Sequence, residues 1–193
     1  MSDTAKHLRH LDRVWIENPI YFITTCTQCR RQVLAVEPIH AILREVWANA
    51  EKLYGWYVGR YVVMPDHVHF FCASAVPVAG VSDPGAVAVA GVSDPGYSAL
   101  PGAVAGVSDP GYSASLSMFV GKWKEWTAKY AHRRLKMPPS LWQPEFFDHV
   151  LRSGESYEQK WEYVRENPVR AELVARPEDW PYQGEIHDLR FEL

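Results

Sequence analysis

From Tyr21 to Thr27 the chain reads YFITTCT, β-branched and aromatic residues in close succession, which predicts a strand. The period then lengthens. Ile39, Ile42, Leu43, Val46, Trp47, Ala50 and Leu53 recur at intervals of three and four, the apolar stripe of an amphipathic helix over Glu37 to Leu53, and Gly55 suits its C-terminal cap. Trp56 to Val63 and His67 to Cys72 read as two further strands, and Met64-Pro65-Asp66 between them reads as the tight turn of a hairpin. A second helix is predicted over Leu116 to Leu135, with Phe119, Trp123, Trp126 and Tyr130 on one side. Phe146 to Arg152 reads as a fourth strand and Ser156 to Asn167 as a third helix, which Pro168 is expected to stop. The order β-α-β-β-α-β plus a terminal helix predicts an α+β chain with the ferredoxin-like split β-α-β arrangement: an antiparallel sheet, helices on one face, and an added C-terminal helix.

One stretch obeys neither period. AGVSDPG begins at Ala79, again at Ala90 and again at Ala105, each copy with a D-P-G turn signal, in a segment from about 75 to 115 dominated by Gly, Pro, Ala, Val and Ser. The spacings are short and unequal, which disfavours a solenoid and predicts a loop insertion within a single domain spanning residues 1–193. The insertion carries Asp83, Asp94 and Asp109 and no Lys or Arg, so the formal net charge of −3 belongs to it and the remainder of the chain is neutral. A protein that is basic throughout is therefore excluded, and charge has to be read locally. Lys122, Lys129, Arg133 and Lys136 form a stripe on the second helix, with Lys124 and Arg134 nearby, able to follow a phosphate backbone or to make an ordinary solvated face.

The N-terminal MSDTAKHLRHLDR has no apolar core of the signal-peptide kind, which makes the cytoplasm the expected location, and no apolar run is long enough to span a bilayer. Cys26 and Cys29 form a lone C-x-x-C; Cys72 is the only other thiol, so no second pair completes a zinc ribbon.

The candidate chemistry lies in MPDHVHFF, residues 64–71. In a strand, residues i and i+2 share a face, so His67 and His69 project together while Val68 turns to the other side. Two imidazoles so placed can chelate a divalent cation or can simply occupy the polar face of an antiparallel sheet, and the pair alone does not choose between these. A catalytic cation needs a further protein ligand and open positions for substrate oxygens. WEYVRENP offers one: Tyr163 and Asn167 are four apart, hence on one helical face, with the Asn167 amide oxygen at the end of the helix.

Taken together, YFITTCT, VVMPDHVHFF, KWKEWTAKY, LWQPEFFDHVLR and YVRENPVRA followed by PEDWPY resemble the single-tyrosine HUH transposases, and among them the REP-associated tyrosine transposases of bacteria. The blocks come in the family's order and cover nearly all the chain outside the insertion and a short N-terminal tail. The resemblance implies a ferredoxin-like catalytic domain in which His67 and His69, assisted by Asn167, bind Mg²⁺ or Mn²⁺ and Tyr163 is the nucleophile. It implies cleavage and rejoining of single-stranded DNA at hairpins formed by repetitive extragenic palindromes, through a covalent 5′-phosphotyrosine, by a monomer or homodimer. The repeat-bearing insertion departs from the family, whose members join the histidine strand to the next helix compactly. Two rival classes keep the same residues: a hairpin-binding module without catalysis, in which Tyr163 is dispensable, and a phosphodiesterase that uses water as nucleophile and forms no protein adduct.

Overall fold

Why the two histidines share a face, and what covers that face, is set by a five-stranded antiparallel sheet of order β4-β1-β3-β2-β5. The computed structural model describes residues 19–75, 115–151 and 153–190, so the repetitive insertion expected at about 75–115 lies outside the described residues except at its two ends. The elements are β1 (Ile20–Cys26), α1 (Glu37–Ala48), α2 (Ala50–Tyr54), β2 (Trp56–Val63), β3 (His67–Ser74), α3 (Leu116–Leu135), β4 (Phe147–Leu151), α4 (Gly154–Arg165), α5 (Asn167–Arg170) and β5 (Gln183–Glu185). The first four strands make the expected ferredoxin-like core. The fifth, Gln-Gly-Glu, has neither length nor alternation to announce it and is held by pairing along Arg60–Val62.

Alternation along the strands divides the core in two. Tyr21 and Ile23 of β1 and Val68, Phe70 and Cys72 of β3 face α1, α2 and α3, where Trp47 stacks on Trp123 with ring centroids 5.5 Å apart and Trp56 stacks on Phe119 at 5.3 Å. Ile20 and Phe22 of β1 and Phe71 of β3 face the other way, against Tyr157 and Val164 of α4 and Trp180 and Leu189 beyond it. In β2 the pairing slips between Val58 and Tyr61, a bulge that keeps Val58 and Tyr61 in the first layer although they are three apart.

Two helices differ from their sequence outlines. The first is broken at Asn49 (φ −100°, ψ 0°), and Gly55, at φ 69°, closes the short α2 in the left-handed conformation that glycine adopts without strain. The third begins at Gly154, capped by the reciprocal Ser153–Ser156 pair, and ends at Arg165 rather than Asn167. Pro168 does not stop a helix there; it lies in the first turn of the new helix α5, where its missing N–H has no intrahelical partner to lose.

Lys124 also departs from expectation. Although it follows the basic stripe in sequence, its side chain is buried and its ammonium donates to the carbonyl oxygens of Gln143 (3.1 Å), Pro144 (3.1 Å) and Glu145 (2.9 Å). Those bonds fix the W-Q-P-E segment that leads into β4, beside Trp142, whose indole N–H donates to Thr127 Oγ1 at 2.8 Å. Burial lowers the Lys124 pKa to about 8, against the upward pull of the Glu145 carboxylate. An ammonium committed to three carbonyls is removed from the DNA-facing set in which the sequence places it.

Lys124→Met is expected to destabilise the fold by about 2–4 kcal/mol, because it strands three acceptors that the ammonium now satisfies. Lys122→Met, on the exposed side of the same helix, is expected to change stability by no more than about 0.5 kcal/mol; urea unfolding of both variants is the check. Since β3 ends at Ser74 and α3 begins at Leu116, replacing residues 77–114 with a short Gly-Ser link is expected to preserve one cooperative unfolding transition. Failure to recover soluble, cooperatively folding protein would refute the insertion's independence of the core.

Candidate functional site

The sheet face shared by Phe22 and Phe71 is also the face of His67 and His69, since all four follow the two-residue period of their strands. Thr24 lies opposite His69 in register, and its Oγ1 is hydrogen-bonded to His69 Nδ1 at 2.8 Å. His67 Nδ1 donates to the Asp66 carboxylate at 2.6 Å. The other Asp66 oxygen receives Arg30 Nε at 2.8 Å, and Arg30 Nη1 in turn donates to Cys26 Sγ at 2.6 Å. With Nδ1 engaged on both rings, Nε2 is the nitrogen left to each for a ligand, and a carboxylate on the far nitrogen orients the ring and raises its basicity as a donor.

The rings themselves are close, with centroids 4.8 Å apart and planes at 84°, and His69 is stacked on Phe22 at 5.4 Å. They are not the solvated polar pair of an open sheet. Burial depresses both pKa values, and for His69 the neighbouring His67, Lys160, Arg170 and Arg30 add to it, bringing the value to about 3. For His67 the Asp66 carboxylate opposes the effect of burial. Both imidazoles are therefore neutral at pH 7, the state in which an imidazole is a ligand.

Helix α4 brings the second set of groups. Tyr157 packs edge-on against Phe71 at 4.8 Å, Trp161 lies one turn further along over the same ring at 6.4 Å, and Val164 is buried, so the helix is seated on the histidine face. Tyr163 lies outside this contact and is 61% exposed. Arg170, reaching back from α5, sets its guanidinium 4.3 Å from the Tyr163 ring centre, donates to the Tyr163 carbonyl at 2.6 Å and also bonds Asn167 Oδ1. Lys160 places Nζ 5.6 Å from the Tyr163 ring centre and 5.1 Å from that of Phe22, the ring on which His69 stacks.

Of the residues expected from sequence, His67 and His69 come together, and the groups that act on His69 include the two cations that bracket Tyr163. Asn167 shares its amide oxygen with Arg170, which leaves one lone pair for a cation. No group of three His, Cys, Asp or Glu residues suited to a metal occurs among the described residues, so a cation here has two imidazoles and at most neutral oxygen donors from the protein. The remaining basic stripe stands elsewhere. Lys122, Lys129, Arg133, Arg134 and Lys136 belong to α3 and its cap, on the opposite side of the sheet; Lys122 and Lys129 both bridge to Glu125, and Arg134 forks onto Glu45. Thr24, Asp66, Lys160 and Arg170 were not legible as site residues. Lys160 had the one usable signal, its place three residues before Tyr163 on the same helix.

The model for the family described as "Transposase IS200 like" matches residues 16–83, which contain β1 through β3. A REP-associated tyrosine transposase of Escherichia coli K12 is 23% identical over 171 residues, covering 88% of this chain and 78% of that protein. A putative REP-associated tyrosine transposase of Haemophilus influenzae Rd is 30% identical over 53 residues, which is 28% of this chain and 30% of the relative. Among solved structures, that of a REP-associated tyrosine transposase bound to a REP hairpin shares the fold, with a TM-score of 0.59 at 19% identity over 91% of this chain and 82% of the other. The family model spans the first three strands, the histidine strand among them, and a relative aligns along most of both chains, so in sequence this chain is similar to the REP-associated tyrosine transposases and in fold to one of them.

Proposed function

We propose that this protein is a transposase that cleaves and rejoins single-stranded DNA beside REP-type palindromic hairpins, with Tyr163 as nucleophile and Mg²⁺ or Mn²⁺ as cofactor. The hairpin is suggested by the DNA in the related solved structure. The observation that carries the chemistry is the exposed Tyr163, set on the helix that covers the neutral imidazole pair and joined to it by cations that reach both.

His67 and His69 would hold the ion through Nε2, and the second lone pair of Asn167 Oδ1 is available as a third donor. When bound, a divalent ion supplies charge neutralisation at the non-bridging oxygens of the scissile phosphate. The protein's part is to present Tyr163 Oη to the phosphorus in line with the leaving 3′-oxygen. The Oη–P bond forms as the P–O3′ bond breaks; the phenolic proton passes to solvent and the departing 3′-oxygen takes up a proton, giving a 5′-phosphotyrosine and a free 3′-hydroxyl. Attack by another 3′-hydroxyl on the same phosphorus reverses the sequence and joins the strands, so no nucleotide cofactor is consumed.

With end-labelled REP-type hairpins of the protein's own genome and Mn²⁺, the wild type is expected to give a protein–DNA band on denaturing gels. Tyr163→Phe and His69→Ala are expected to reduce it by at least about a thousandfold while still binding the hairpin. Cleavage without an adduct would transfer the reaction to water, and binding with neither cleavage nor adduct would leave a hairpin-binding module.

A further inference from the structure

The charges around the histidine pair do not suit a bare metal site. Asp66, the carboxylate that bonds His67 among the described residues, is already shared with Arg30, while the Lys160 ammonium lies 5.1 Å from the centre of Phe22, the ring on which His69 stacks. A positive charge so placed repels a divalent cation at the pair.

Lys160 differs from most of the charged side chains near it. Arg60 pairs with Glu158 and Glu185, Arg165 with Glu162, and Arg170 is bonded to the Asn167 amide and the Tyr163 carbonyl. Among the described residues no carboxylate pairs with Lys160. Its ammonium is held instead by two aromatic rings, that of Tyr163 on its own helix and that of Phe22 on the sheet, and Phe22 carries His69 stacked beside it. An ammonium set against the Tyr163 ring and against the ring that carries His69, with no carboxylate among the described residues to pair with it, is placed to receive an anion.

We infer that Lys160 binds a non-bridging oxygen of the scissile phosphate, and that by standing unneutralised in the free protein it makes cation binding at His67 and His69 conditional on DNA. The inference rests on the reading of Tyr163 and the histidines given above. Once the phosphodiester is seated, its charge offsets the ammonium, and the cation gains both the phosphate oxygens and relief from repulsion. The coupling is reciprocal: DNA tightens metal binding by the factor by which metal tightens DNA binding.

The sign of the effect separates this role from a structural one. In Lys160→Gln, Mn²⁺ binding to the DNA-free protein, followed by electron paramagnetic resonance, is expected to tighten about fivefold, since one positive charge is lost near the site. In the same variant, adduct formation with the hairpin is expected to slow about a hundredfold. The slope of log affinity for single-stranded hairpin flanks against log salt is expected to shrink by about 0.7, the signature of one lost phosphate contact. Lys160→Arg is expected to restore most of the adduct rate, and Lys52→Gln, on α2 at the far side of the sheet, to leave the salt slope unchanged. Unchanged or weaker Mn²⁺ binding in Lys160→Gln, or an adduct rate equal to that of the wild type, would overturn the inference. The failure of the underlying reading looks different: the wild type would form no adduct, and His69→Ala would not alter its Mn²⁺ binding.

Discussion

Everything at the candidate site depends on the two-residue period of β3. This strand is hydrogen-bonded on both sides, to β1 and to β2, and it buries Val68, Phe70 and Cys72 against α1 and α3. A slip of one residue would carry Phe70 out of the helical layer and drive His69 into it, so burial of the hydrophobic set fixes the direction of the histidines. Thr24 and Asp66 then act on rings whose position is already decided. The core selects the face, and the polar bonds select which nitrogen each ring has left to offer.

The layer beyond that face is what links the imidazoles to the phenol. Tyr157 and Trp161 are spaced by one helical turn and both meet Phe71, so α4 is held along the strand by side chains that take no part in the chemistry. Lys160 and Tyr163 project from other sides of the same helix, and Arg170 returns from α5 to close around Tyr163. The field this creates is local. A chain with net charge −3 brings three cations, Arg30, Lys160 and Arg170, close enough to act on His69.

Most of the sheet and its helices could be read from the sequence, because strand alternation and the three-and-four spacing of α1 and α3 are imposed by burial, and burial leaves a periodic trace. The parts that could not be read have no such trace. β5 is three residues of Gln, Gly and Glu, held by pairing alone. The break at Glu166 and the new turn at Asn167 follow from Pro168 being acceptable in a first helical turn, which the same proline in a helix interior would not be. Lys124 reads as one more cation beside a basic stripe, and only the fold shows three carbonyls converging on it. The stripe itself is a real exposed feature of α3, but helical spacing says nothing about which side of a sheet a helix will cover. His67 and His69 were legible because their face follows from strand period; Thr24, Asp66 and Arg170 reach the site through pairing, a turn and a helix break.

The W-Q-P segment, among the more recognisable blocks in the sequence, is the part that Lys124 holds, and it belongs to the architecture rather than to the chemistry. Tyr163 is the reverse case, an exposed side chain on which little of the packing depends. The burden of folding therefore falls away from Tyr163. A chain that lost this side chain would keep its sheet, its two apolar layers and the surfaces they present, so the position is free to change while the protein around it endures.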